Sequence, residues 1–357
     1  MPSEFEISLY RPEFKSGVIE LMYHLWGDNS ELNASYFEWK YLNNPYSETP
    51  LGIIAHYKDK VVGFRGYFST MWSVPEKGSR FVVLSPGDTC VHPDHRLKCL
   101  SIAMNDMAMK EYTSKYRILF NTSASKNSLP GYLKAGFVPI FGKTNLKRQN
   151  LLARLLERYL LTKKRRAELS KRRIRFGKFN DIIVSESPRP EEMSAMIARQ
   201  NYRSEKITLF QDKEFFRWRF NNKRNQYIFY YCKRDSEITG YMVIGVLQNY
   251  EYGQILDYAE SVSGSLERLL RYVIKERHVA VLLIGNVSLN DDFHRLLKSL
   301  GFKEDKHHDD KKGKKVTLPY LIRPVKTELA ESDWLIEGLD IRRIENWQIK
   351  GICNDGL

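Results

Sequence analysis

Two stretches of the chain read almost alike. Tyr36-Phe37-Glu38-Trp39-Lys40-Tyr41-Leu42-Asn43 and Phe215-Phe216-Arg217-Trp218-Arg219-Phe220-Asn221-Asn222 share the pattern aromatic-Phe-x-Trp-basic-aromatic-x-Asn, 179 positions apart. Each is followed by an alternating apolar strand, a charged turn and another strand. In the first half these are Leu51–Tyr57, Lys58-Asp59-Lys60 and Val61-Val62-Gly63-Phe64. In the second they are Tyr227–Cys232, Lys233–Glu237 and Ile238-Thr239-Gly240-Tyr241. Farther on, Tyr132-Leu133-Lys134-Ala135-Gly136-Phe137 answers Leu297-Lys298-Ser299-Leu300-Gly301-Phe302, at an offset of 165. Three matches in one order with falling offsets indicate a duplication whose second copy lost residues. A length of 357 residues agrees with two domains.

Each copy reads as an N-terminal helix, a hairpin, a further strand, and then helix, strand, helix and closing strand. In the first copy the central strand runs from Phe81–Leu84 to Thr89–Val91. The next helix is predicted over Leu100–Lys115, with Ile102, Met104, Met107 and Ala108 as its inner stripe. A strand at Arg117–Phe120 and a short helix at Ser128–Ala135, stopped by Gly136, follow. A hairpin before strand–helix–strand predicts a mixed sheet of the α/β or α+β type.

The formal charge is +14, yet residues 143–178 carry 14 Lys+Arg and only Glu157 and Glu168 against them. Outside this segment the surplus is +2, so the basic balance belongs to one junction. Nucleic acid is therefore not the expected partner. Leu151, Leu152, Leu155, Leu156, Leu160 and Leu161 fall at helical spacing among those charges, which suits a solvated connector helix, a helix lying on an anionic membrane surface or, as a third reading, a helix that binds a phosphorylated or nucleic-acid partner. The run Lys306–Lys315 reads as an exposed hairpin turn. Four cysteines do not make a disulfide scaffold. There is no secretory leader pattern and no apolar run of spanning length. The expected location is the cytoplasm, with attachment at the inner membrane surface as an option.

The segment from Thr89 to Ser101 joins the central strand to the long helix. A helix start offers unpaired N–H groups and the positive end of the dipole, and Arg96 and Lys98 add charge beside it. The stretch resembles the Gcn5-related N-acetyltransferases (GNAT), whose strand ends in Val-x-Pro-x-x-Arg/Gln-Gly-x-Gly-x-Gly/Ala. Val91, Pro93 and Arg96 are in register; Leu97, Cys99 and Ser101 stand where the glycines would be. Val61-Val62-Gly63-Phe64 and Tyr132-x-x-x-Gly136-Phe137 extend the resemblance over roughly residues 50–142.

The resemblance implies two tandem GNAT-like domains, the second degenerate. The catalytic domain would span 1–142, a basic helical linker 143–180, the degenerate domain 181–325 and a tail 326–357. It implies transfer of an acyl group, acetyl first of all, from acetyl-CoA to an amine. The amides of Thr89, Cys90 and Val91 would bind the pantetheine and polarise the thioester. Arg96, Leu97, Lys98, Cys99, Leu100 and Ser101 would hold the pyrophosphate. Tyr132 would protonate the leaving thiolate. Asp88 is the first candidate base and His92 the second. Asn127 is a candidate contact to cofactor or substrate. Cys90, His92, His95 and Cys99 match no usual zinc spacing, and no metal is expected.

In the second copy Ser261-Val262-Ser263-Gly264-Ser265 follows the central strand without a basic residue, and Leu297 stands for Tyr132. It reads as a catalytically silent repeat, although Asp257 and Glu260 could reach an acceptor amine. Twin domains with a Trp-rich entry motif also resemble acetyltransferases of bacterial surface-polysaccharide pathways, which implies a small-molecule or carrier-linked amino sugar as acceptor. The alternatives are a Fem-type aminoacyl transferase using charged tRNA and a non-catalytic GNAT-like scaffold.

Overall fold

The structure is a computed structural model, described for residues 4–142, 144–149, 162, 165, 168, 171, 174–247, 250–305 and 318–354. Most of the basic segment and all of the run 306–315 lie outside these residues. The chain divides into two compact units. The first comprises Met1–Phe141, Asn221–Arg224 and Tyr320–Asn346; the second comprises Gly142–Phe220, Asn225–Pro319 and Trp347–Leu357.

The first unit opens with a strand, β1 (Phe5–Leu9), ahead of the expected helical entry α1 (Lys15–Leu21), α2 (Tyr23–Trp26) and α3 (Ser30–Phe37). Then come β2 (Leu51–Tyr57), β3 (Lys60–Val74), β4 (Ser79–Val91), α4 (Leu100–Tyr112), β5 (Ile118–Asn121), α5 (Leu129–Lys134) and β6 (Val138–Gly142). The sheet order is β1-β2-β3-β4-β5, then the strand Pro319–Pro324, then β6. Pairing is antiparallel from β1 to β4 and parallel between β4 and β5.

Both faces of this sheet are covered, and strand alternation sorts the side chains between them. Ile54, Phe64 and Cys90 meet Val18, Leu21 and Phe37 of the entry helices. Ile53, Tyr67 and Leu84 meet Leu100, Met104, Ala108 and Tyr112 of α4. The inner face of α4 is therefore the 100-104-108-112 line, successive turns of one face. Ile102, expected inside, is half exposed, because it lies off that line.

The aromatic motif ends in one π-helical turn, Glu38–Leu42, in which Asn43 N donates to Glu38 O across five residues. The turn inserts one residue relative to the second motif. Asn44, not Asn43, is thus the counterpart of Asn222: Asn44 Oδ1 accepts from Tyr46 N as Asn222 Oδ1 accepts from Arg224 N.

The second unit contains β7 (Asn145–Gln149), β8 (Gly177–Phe179), β9 (Ile182–Ser185), α6 (Pro190–Asn201), β10 (Ile207–Leu209), α7 (Lys213–Arg219), β11 (Gln226–Arg234) and β12 (Glu237–Leu247). It continues with β13 (Tyr252–Glu260), α8 (Ser265–Glu276), β14 (Val281–Gly285), α9 (Asp291–Ser299) and β15 (Lys303–Glu304). Its main sheet runs β15-β7-β14-β13-β12-β11-β9-β8, with β13 and β14 parallel. Leu266, Leu269, Leu270 and Val273 of α8 bury themselves against Ile228, Met242, Ile244 and Ile255.

In each unit a strand distant in sequence stands beside the parallel strand. Pro319–Pro324 separates β5 from β6, and β7 separates β14 from β15. Residues 145–149, read from the sequence as linker, form β7, and the end of the stretch 181–325 lies in the first unit's sheet. A parallel strand with an open edge needs a ladder partner, and either insertion supplies one.

Candidate active site

Beyond Val83↔Ile118 and Leu84↔Leu119, β4 and β5 form no further pairs. From Ser85 onward β4 is held by β3 alone, so the sheet opens toward the start of α4. The β3–β4 register also slips between Phe64 and Gly66, and Asp88 lies at that bulge with φ +48°.

Asp88 is tightly engaged. Its Oδ2 accepts from Lys40 Nζ and from Tyr41 OH, each at 2.6 Å, and its Oδ1 accepts from Trp26 Nε1 at 3.2 Å. Lys40 is 1% exposed and lies over the rings of Tyr36, Tyr41 and Phe68. Burial, and then the Asp88 carboxylate, push the Tyr41 phenol well above its ordinary range, so it stays a proton donor to Asp88. The second unit repeats the device at its own bulge, where Val243 pairs with Asp257. Asp257 accepts from Lys350 at 2.9 Å, Tyr241 at 2.6 Å and Gln211 at 2.8 Å. The carboxylate thus accompanies the bulge in both units.

Past Val91 the chain turns through Pro93–His95 and enters α4. Leu97 and Cys99 have φ of +63° and +60°. These are two of the positions where the resembling motif carries glycine, so the backbone keeps glycine dihedrals with side chains that resist them. Leu97 is wholly exposed, which spares its side chain a clash. Leu100 anchors the helix in the core. Leu100 and Ser101, in the first helical turn, have no intrahelical acceptor for their N–H groups. Arg96 Nε donates to Val91 O at 3.3 Å, and Lys98 lies 3.7 Å from Glu4. In the second unit the corresponding helix start is occupied from within: Glu260 Oε2 accepts from Leu266 N at 2.9 Å. Gly63↔Val91 and Gly240↔Glu260 put Glu260 at the place of Val91.

The strain at Leu97 gives a measurable expectation. A non-glycine residue in this conformation costs about 1–2 kcal/mol, and glycine returns roughly half through unfolded-chain entropy. Leu97→Gly should therefore stabilise by about 0.5 kcal/mol in urea unfolding, whereas the β-branched Leu97→Val should destabilise. Equal midpoints for the two variants would remove the strain argument.

Tyr132 is buried on α5 and packs edge-on against Phe137, centroids 5.0 Å apart. Gly136 N donates to Leu133 O and Phe137 N to Tyr132 O, with Gly136 at φ +80°, a Schellman closure that fixes the turn. Arg323, from the inserted strand, donates to Ala135 O and secures the end of α5. Thr89 faces the same side as Tyr132; Arg65, between them, donates from Nη1 to Thr89 Oγ1 at 3.2 Å and lies 5.3 Å from the Tyr132 ring centre.

Cys90 points the other way, where its Sγ donates to Leu21 O, and burial raises its thiol to about 11. Only its backbone belongs to the opening. His92 accepts from Asp94 N at its Nδ1 and meets His24 edge-on, centroids 5.0 Å apart. Asn127 is exposed in the turn before α5. Thr89, Val91 and Tyr132 are thus brought together on one face. Asp88 is drawn into the entry helices and Asn127 stands apart. Sequence reasoning missed Arg65; the signal was available, since a charged residue occupies an inward strand position where the second copy has Met242. Among the described residues no group of three or more His, Cys, Asp or Glu could hold a metal ion.

No family model matches the chain, and no curated protein matches it. Solved structures do. A conserved protein of unknown function from Enterococcus faecalis, described as a probable N-acyltransferase, aligns with TM-score 0.59 at 9% identity, over 90% of this chain and 73% of that one. A GCN5-related N-acetyltransferase from Anabaena variabilis aligns with TM-score 0.57 at 11% identity, over 90% and 73%. Another from Kribbella flavida aligns with TM-score 0.55 at 12% identity, over 90% and 71%. The strand opening, the glycine-like turn and the Tyr132–Phe137 closure therefore belong to a chain with the fold of the GCN5-related N-acetyltransferases.

Proposed function

We propose that the chain is an acyl-CoA-dependent N-acyltransferase acting through its first unit, with acetyl-CoA as donor. The observation that carries this reading is the turn before α4. Leu97 and Cys99 hold strained left-handed dihedrals at the start of α4, beside Arg96 and Lys98, and a turn of this kind at a helix start can present backbone amides to an anion. Strain of this kind persists where a ligand needs the shape. The opening beside β4 would admit the pantetheine arm toward Thr89 and Val91, with Tyr132 above it as proton donor.

Both oxygens of Asp88 already accept hydrogen bonds, so His92 is the better candidate to take the proton of the incoming ammonium. The second unit is proposed to be silent, because Glu260 fills its helix start. The acceptor proposed is an amino sugar, a choice resting on the sequence resemblance. Location in the cytoplasm, with the basic segment at an anionic membrane surface, is proposed on the same footing. Among the described residues no helix is long and apolar enough to cross a membrane.

Isothermal titration with acetyl-CoA and with CoA tests the donor. Binding of both is expected, weakened when Arg96 and Lys98 are changed to alanine. A wild-type chain that binds neither would end the acyltransferase reading.

A further inference from the structure

Arg65 is an expensive residue to keep where it is. It is 6% exposed, on a strand buried along nearly its whole length. Its Nε donates to Tyr67 OH at 2.8 Å and its Nη1 to Thr89 Oγ1 at 3.2 Å. The guanidinium also lies 5.5 Å from the Tyr67 ring centre and 5.3 Å from that of Tyr132. Among the described residues all its hydrogen-bonding partners are neutral hydroxyls. Burying a cation without an anion costs several kcal/mol, which hydroxyls and ring faces offset only in part.

The second unit shows that the fold does not require this cluster. Gly63↔Val91 and Gly240↔Glu260 set the two hairpins in common register. Met242 then stands for Arg65, Ile244 for Tyr67 and Tyr258 for Thr89, while Leu297, at the matching helix end, stands for Tyr132. Met242, Ile244 and Leu297 lie within an ordinary apolar core. The charged, hydroxylated version occurs in the unit with the strained turn. The apolar version occurs in the unit whose helix start is filled by Glu260.

A buried cation among neutral groups is stabilised most if one of those groups becomes an anion at the moment of function. We infer that Arg65 is a positioning residue for Tyr132, holding the phenol in place and compensating the phenolate that forms when Tyr132 gives up its proton. The inference rests on the acyl-transfer reading. In the balanced step the amine lone pair forms the C–N bond to the acyl carbon, and the C–S bond breaks with its electron pair going to sulfur. The Tyr132 proton moves to that sulfur, and the phenolate regains a proton from the one the amine has lost. The products are an amide and CoA thiol. No net charge is created, but a phenolate exists for part of the cycle, and Arg65 is the cation that faces it. Thr89 holds the guanidinium to β4, so the proton donor and the strand proposed to polarise the thioester are tied together.

The test uses the full chain as wild type, Arg65→Met, Arg65→Lys, Tyr132→Phe and the Arg65→Met/Tyr132→Phe double variant. Three quantities are measured: CoA thiol release from acetyl-CoA with water or glucosamine as acceptor, CoA affinity by calorimetry, and the melting temperature. Methionine is chosen because the second unit packs it at the same place. The expected result is a fall in kcat of about 30-fold for Arg65→Met, partial recovery in Arg65→Lys, and unchanged CoA affinity. The melting temperature should not fall, since a buried charge without an anion is being removed. In the double variant kcat should be no lower than in Tyr132→Phe alone, because Arg65 acts through that phenol.

A kcat retained in Arg65→Met, losses that multiply in the double variant, or a loss that tracks a lowered melting temperature would each overturn the inference. Wild-type chain that neither binds nor cleaves acetyl-CoA would bring down the acyl-transfer reading and this inference together. Wild type that does both beside an unimpaired Arg65→Met would bring down this inference alone.

Discussion

Lys40→Met is expected to cost the first unit about 3–5 kcal/mol, the penalty of breaking a buried ion pair from one side. Lys40 and Asp88 are 2.6 Å apart, with side chains 1% and 12% exposed. Without the ammonium, the carboxylate is left at the bulge with a phenol and an indole as its donors. The ammonium lies over the rings of Tyr36, Tyr41 and Phe68, so the place it leaves is flanked by aromatic faces that offer the carboxylate no replacement charge. Asp88→Asn in the Lys40→Met background should recover much of the loss, since it removes the unpaired charge. Hydrogen exchange of the peptides spanning β3 and β4, followed through urea unfolding, measures the effect in the first unit separately from the second. If Lys40→Met and the double variant unfold like wild type, the pair is not what holds the bulge. If the double variant is no better than the single, the cost is not that of an unpaired charge.

Tyr132→Phe should lower turnover of acetyl-CoA by about 100-fold or more, the range for loss of a general acid, equivalent to about 2.7 kcal/mol in the barrier. The substitution removes one oxygen and keeps the ring that packs against Phe137, so the Schellman closure and the fold should stand. CoA affinity should be unchanged, because Tyr132 is not among the groups proposed to hold the pyrophosphate. A kcat loss at constant affinity and melting temperature is the signature. Unchanged turnover would remove Tyr132 from its proposed role and would leave Arg65 without a reason for its burial.

Much of the first unit was legible because its signals are local. Alternation marked β2 and the start of β3, and Gly136 marked the stop of α5. The junction from Val91 to Leu100 carried a turn proline, basic residues and the onset of a helical stripe within ten positions. The inner stripe of α4 was misplaced at Ile102 because periodicity sets a repeat but not a phase, and the phase depends on what Leu100 packs against. The motif asparagine was matched one residue early, since a π-helical turn adds a residue without any composition signal. Asp88 read as the first candidate base at the end of the central strand. Its partners Trp26, Lys40 and Tyr41 come from entry helices more than forty positions away.

By itself the sequence determined that this protein holds two mixed α/β halves, and that a strand-to-helix turn flanked by basic residues lies in the first. Those properties reside in repeat, periodicity and turn chemistry, which act over a few residues. Tertiary structure alone decided that Pro319–Pro324 completes the first unit's sheet and β7 the second's. It also decided that Leu97 and Cys99 keep glycine dihedrals, and that a buried arginine faces Tyr132. The reason is physical: strand partners, backbone strain and the burial of a charge are settled by contacts between segments remote in the chain, to which local propensity is blind.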